Sequence, residues 1–267
     1  MSHIRSPAVS GLFYPAEAAA LAREVRAMLD TARRFDTPPK ALIAPHAGYI
    51  YSGPIAASAY AALHDAAPHI RRVVLLGPTH RVAVRGLALP GVDAFATPLG
   101  AVPVDMEAVQ AIAHLPQITV SPQAHAQEHS IEVQLPFLQT VLPDFKLLPL
   151  AVGMTTAEEV AEVLDLLWGG AETLIVVSSD LSHYLPYDSA RRMDASSAQR
   201  ILDLQALDTH DQACGATPIN GLLLAAQRHR LTPHLLDLRN SGDTAGSRDG
   251  VVGYAAFAFT GEARHVD

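Results

Sequence analysis

Apolar and polar positions along the chain fall into two alternating kinds of segment. Ala41–Ala44, Arg72–Leu76 (RVVLL) and Thr173–Val177 (TLIVV) are short and unbroken in their apolar character, and the last two are rich in β-branched residues. Such runs predict strands buried on both faces. His234–Leu238 and Val251–Phe259 read as two further strands. Helical periodicity separates them. In Pro15–Arg34 the side chains of Leu21, Val25, Met28 and Leu29 share one face, and Pro15 suits a first turn. Pro54–Leu63 reads as a small-residue helix. Thr155–Trp168 reads as another, with Thr155 and Glu158 in capping-box spacing. Asp188–Leu204 and Pro218–Arg230 complete the helices.

Buried strands alternating with helices predict an α/β fold with a mostly parallel or mixed central sheet and helices on both faces. The expectation is one domain over residues 1–267. Thr37–Lys40, the loosest stretch, is too short to separate domains, and no repeat interrupts the pattern.

Composition narrows the function classes. A 267-residue chain with 49% hydrophobic and 17% charged residues has the mix of a globular protein. The formal charge of −8 argues against a nucleic-acid surface, which needs clustered Lys and Arg. The pairs Arg33/Arg34, Arg71/Arg72 and Arg191/Arg192 lie apart and read as solvated element ends. No run of 18 apolar residues predicts a membrane span, and the N-terminal MSHIRSPAVSGLFYPAE has no apolar signal core, so a cytoplasmic setting is expected. Cys214 is the single cysteine, which excludes an intrachain disulfide and a cysteine-rich zinc site. Beside Gly215 and Ala216 it reads as small packing.

Chemistry concentrates after the strands. ALIAP runs into His46, RVVLLGP into Thr79 and His80, TLIVVSS into Asp180 and His183, and HLLDLRNSG into Asp243 and Thr244. Open α/β sheets bind ligands beyond the carboxyl ends of their strands, so parallel neighbours would bring these groups to one rim. Two histidines and a carboxylate match the facial triad of non-haem Fe(II) sites, with Asp180 and Asp243 as the available carboxylates. Zinc uses similar ligands. His183 suits an acid–base, since imidazole exchanges protons near neutral pH.

A second cluster is QEHSIE, Gln127–Glu132, where His129 and Glu132 would share a face if helical. Its order, His-x-x-Glu, reverses the di-iron pattern. His129 therefore reads as a pocket-lining residue, and Glu132 as a capping or salt-bridging one. His125 lies nearby without further support. The chain has no G-x-S-x-G elbow, phosphate-binding loop, dinucleotide fingerprint or H-E-x-x-H motif.

Taken together, GLFYPA (Gly11–Ala16), PHAGYIYSG (Pro45–Gly53), GPTH (Gly77–His80), EHSIEVQLPFL (Glu128–Leu138), SSDLSHY (Ser178–Tyr184), CGATPI (Cys214–Ile219) and NSGDTAG leading to VVGYAAFAF resemble the Memo family. Its prokaryotic branch is called AmmeMemoRadiSam system protein B. The resemblance spans about Ser6 to Phe259. It implies an α/β fold like that of the class III extradiol dioxygenases, non-haem iron enzymes that open catechol rings. It implies metal on His46 and His80, with Asp180, His183 and His129 lining the pocket and His183 as acid–base. Animal relatives complete the site with a cysteine, which aligns here at about Thr244, so Asp243 is the expected third ligand.

The resemblance thus implies an Fe(II)-dependent, dioxygenase-like oxidoreductase acting on a small, catecholic substrate, with zinc or copper as the other metals. A silent metal-binding scaffold and a zinc-dependent hydrolase are the alternatives. Radical S-adenosylmethionine and AMMECR-type proteins are the implied partners.

Overall fold

The computed structural model describes residues 3–261. Its strands are β1 (Ile4–Arg5), β2 (Ala41–Ala44), β3 (Arg72–Pro78), β4 (Leu87–Leu89), β5 (Ala94–Thr97), β6 (Gly100–Pro103), β7 (Ile118–Val120), β8 (Lys146–Val152), β9 (Thr173–Ser178), β10 (His183–Leu185), β11 (Thr232–Asn240) and β12 (Val251–Thr260). Its α-helices are α1 (Ala18–Thr31), α2 (Tyr49–Ala61), α3 (Met106–Ile112), α4 (Pro122–Ala126), α5 (Leu135–Val141), α6 (Ala157–Leu166), α7 (Tyr187–Leu202) and α8 (Ala216–Arg228).

Nine strands form the central sheet in the order β10-β12-β2-β9-β3-β8-β4-β7, with β11 also on β12. The run β2-β9-β3-β8 is parallel, while β12 is antiparallel to β2 and β8 to β4, so the sheet is mixed. A small second sheet joins β1, β5 and β6.

The unbroken apolar strands follow from burial on both faces. Leu42, Val73, Leu75 and Val176 point to one core, which also takes Leu21 and Val25 of α1, residues of α2, and Phe137 of α5. Ile43, Val74, Leu76, Ile175 and Val177 point to the other, covered by α6, α7 and α8. Truncating a central residue such as Ile175 would cost about 2–5 kcal/mol. The α/β class with helices on both faces is therefore what the chain adopts.

Several boundaries differ from the pattern reading. The second helix begins at Tyr49 rather than Pro54 and carries that proline within it. The capping box lies one residue later than expected. Thr156 Oγ1 accepts from the Glu159 N–H, and Glu159 returns the contact to the Thr156 N–H, while Thr155 adds a hydrogen bond to the Glu159 carboxylate. The stretch between Leu76 and Thr155, which held no predicted strand, supplies β4 to β8. β8 is obscured in the sequence by Pro149, a residue that weakens any strand reading. Its register explains the tolerance. Pro149 pairs opposite Leu75 of β3, whereas β4 on the other side reaches only Ala151 and Val152. No helix of the described residues is long and apolar enough to cross a membrane.

Candidate metal centre

β2, β9 and β3 are parallel neighbours, so their carboxyl ends meet at one rim. His46 lies two residues past β2, Asp180 two past β9 and His80 two past β3. β11 ends and β12 begins at this rim too, and the loop between them borders it. The His46 and His80 ring centroids are 5.2 Å apart. A third imidazole joins them: His129 lies 5.3 Å from the His46 ring and 4.7 Å from that of His80.

One ring nitrogen from each of the three lies within 4.8 Å of the other two, and no other such group of His, Cys, Asp or Glu occurs among the described residues. Nitrogens bound to one ion at ~2.1 Å stand at most ~4.2 Å apart, so closure onto a cation needs only small inward shifts.

His129 comes from a loop rather than a strand end. Between α4 and a 3-10 helix at Glu132–Gln134, the chain packs against the end of β3 at Gly77. A Cβ at Gly77 would meet Ser130 Oγ at 2.5 Å, so only glycine lets the loop approach this closely. Ser130 Oγ–H donates to the Pro78 carbonyl at 2.9 Å and fastens it there.

Hydrogen bonds orient the rings. Ser178 Oγ–H donates to the Ser130 carbonyl at 2.6 Å, which leaves its oxygen to accept from Gln134 Nε2 and from His46 Nδ1, each at 2.8 Å. His46 Nε2 therefore carries the lone pair. His80 Nδ1–H donates to Glu128 Oε1 at 2.9 Å, which likewise frees its Nε2. Glu128 also accepts from the backbone N–H groups of His80, His129 and Ser130.

Electrostatics keep these rings available. Burial, followed by the neighbouring His129 and His80, holds the His46 pKa well below its usual value. Burial brings His129 down to about 4, against the pull of Glu128, with His80 and Arg81 adding to the fall. Burial alone would raise Glu128, but the hydrogen bond and charge of His80 and the backbone N–H groups hold it at about 2. His46 and His129 are thereby kept neutral beside a fixed carboxylate, the protonation a metal ion requires.

The cluster opens into a cavity of about 830 Å³ that is also lined by Phe13, Tyr51, Arg81, Asp180, His183, Tyr184 and Tyr254. Phe13 packs on the His129 ring at 4.9 Å. Asp180 is buried and accepts the His46 N–H at 2.7 Å; burial lifts its pKa to about 7 despite that bond. His183 lies in the wall at the start of β10, its pKa lowered by burial. Tyr184 holds φ 58°, an uncommon conformation for a bulky residue, and is 79% exposed beside the cavity.

Asp243 does not join the histidines. Its carboxylate accepts from Tyr187 Oη at 2.5 Å and from the Asn240 N–H at 3.0 Å, closing a capping box with Asn240. That local closure turns it to the exposed side of the rim loop. Thr244 Oγ1 donates to the Ser241 carbonyl within the same turn. The third member of the cluster is thus His129 and not Asp243. Glu132, three residues on, faces away from the cavity and pairs with Arg5. His125 is buried in the core, where its Nε2–H donates to the Ala88 carbonyl. Cys214 is more than packing: Sγ lies 3.4 Å from His46 Nε2, and burial pushes the thiol up to about 12. Nothing in its sequence setting points there, because helix α8 meets β9 only through the fold.

Comparison with known proteins places these features in a family. A family profile described as "Memo-like protein" matches residues 5–258. The chain is 36% identical to a MEMO1 family protein of Methanosarcina barkeri over 270 residues, covering 95% of this chain and 98% of the relative. It is 37% identical to one of Archaeoglobus fulgidus over 275 residues (96% and 99%) and 35% identical to one of Aquifex aeolicus over 268 residues (96% and 99%). Among solved structures it is similar to an uncharacterized protein of Escherichia coli K12, with a TM-score of 0.55 at 14% identity, covering 81% of this chain and 98% of the other. That last likeness concerns the fold alone.

Proposed function

The chain belongs to the Memo family, and from that premise we propose that it is a non-haem metal oxidoreductase, dioxygenase-like, holding Fe(II) on His46, His80 and His129. The observation that carries this reading is the convergence of three imidazoles on an open cavity, two of them oriented by hydrogen bonds through Nδ1. The donor set fits a divalent first-row metal. Bound there, iron would supply a redox-active Lewis acid with coordination positions open to a small, catechol-like substrate.

The chain's own residues do the rest. Glu128 and Ser178 fix the tautomers of His80 and His46. Asp180 holds the backbone of His46 in place. His183, uncharged at neutral pH because burial lowers its pKa, takes a proton from a substrate hydroxyl and returns it later. Phe13 and Tyr254 contribute apolar surface to the cavity wall, which would exclude water from around a flat substrate.

The test is anaerobic purification followed by metal analysis of the wild type and of His46→Ala, His80→Ala and His129→Ala. Iron near one per chain in the wild type and its loss in each variant is the expected result; equal metal in all four would remove the site. Oxygen uptake on a catechol panel should then track iron content.

A second reading is favoured by the same three-histidine set, which also suits catalytic zinc with an open fourth position. Ester or amide hydrolysis supported by zinc and not by iron would select a hydrolase instead.

A further inference from the structure

We infer that Arg81 is the anion-binding residue of this cavity, and that the substrate is a flat ring bearing a carboxylate. The inference rests on the catechol-binding reading and adds the substrate's second functional group.

Arg81 lines the cavity immediately after the ligand His80 in the chain. The described arginine ion pairs belong to Arg5, Arg34, Arg72, Arg200, Arg228 and Arg239. Among the described residues no carboxylate pairs with Arg81. Among the described lining residues Arg81 is the one permanent cation, and the one carboxylate there, Asp180, already accepts the His46 N–H. A divalent cation on the histidines would deepen that positive field, in a chain whose formal charge is −8. Such an island draws in an anion from solution.

Shape selects the remainder of the molecule. Phe13, Tyr51, Tyr184 and Tyr254 contribute to the wall, and Leu12, 81% exposed, stands at the border. Aromatic side chains of this kind favour a planar ring in offset or edge contact. A guanidinium matches a carboxylate in a planar, two-pronged contact, which a lysine cannot reproduce. The structure thus offers one ring-lined space with a metal-binding group and an unpaired guanidinium in its lining.

The experiment is calorimetric titration of iron-loaded protein, kept anaerobic, with 3,4-dihydroxybenzoate and with 4-methylcatechol, its neutral analogue. Wild type should bind the acid about tenfold more tightly, a difference of about 1.4 kcal/mol. Arg81→Ala should bring that ratio close to one, and Arg81→Lys should restore part of it, with iron content at the wild-type level in both. A preference retained in Arg81→Ala, or equal affinities in the wild type, overturns the assignment while leaving catechol binding intact. Failure of both ligands to bind overturns it together with the catechol reading. Arg81-dependent binding of the acid that persists equally in metal-free protein would uphold the anion site and defeat catechol binding at the metal.

Discussion

Glu128 and Glu132 stand four residues apart in one loop, both buried, and serve opposite ends of it. Glu128 accepts from the His80 ring and from three backbone N–H groups around the candidate ligands. Glu132 pairs with Arg5 and accepts from the Ala8 and Val9 N–H groups and from Tyr14 Oη. It thereby anchors the N-terminal segment that carries Leu12 and Phe13 to the cavity. The first carboxylate has one side-chain partner held through a hydrogen bond, an imidazole whose second nitrogen is left for a metal. The second has a guanidinium and a buried phenol, neither of which offers such a nitrogen. The same side chain thus tunes chemistry in one place and fastens architecture in the other, and its neighbours alone decide which.

The largest effect expected from breaking this contrast is at Glu132. Glu132→Gln leaves Arg5 buried against an uncharged amide, at a cost of about 3–5 kcal/mol. Equilibrium denaturation reads it directly; a loss below about 1 kcal/mol would show that the N-terminal segment is held by something else. Glu128→Gln should act mainly on the metal. Removing the charge behind His80 should weaken metal affinity roughly 10- to 100-fold, measured by competition with a chelator. If the two variants gave the same ratio of stability loss to affinity loss, the division of labour would fail.

The smallest effect is that of pH on the metal-free protein. His129 has a folded pKa of about 4 against an ordinary 6.5. An imidazole depressed in this way binds fewer protons folded than unfolded, so its contribution is complete above the ordinary value. It declines as pH falls from about 6.5 toward 4. Denaturation midpoints across that window should drop, and His129→Gln should flatten the slope. An unchanged slope in the variant would assign the titration elsewhere.

Much of this is legible in the chain because strand ends are legible. β2, β3 and β9 announce themselves as unbroken apolar runs, and the residue types just beyond them reach the rim as the parallel order requires. The candidate ligand from QEHSIE, His129, is harder to rank. A loop has no period, and nothing local says that Gly77 lets Ser130 close against β3. Asp243 shows the reverse error. It does follow a strand, but a short turn consumes its carboxylate through Asn240 and Tyr187. Residues such as Asn and Asp often close on their own backbone in this way. β8 stays hidden because its proline is tolerated only through a neighbour's short reach.

The placement of β9 between β2 and β3 has a mechanical corollary. Two steps of a hydrogen-bonded ladder, roughly 9.6 Å at ~4.8 Å each, separate the backbones from which His46 and His80 lean together. Their jaw is therefore gauged by the sheet itself, and the His129 arm is set against it by a loop that Ser130 pins to the end of β3. A cation of unsuitable radius would have to strain all three supports at once, so the scaffold itself limits which ions fit.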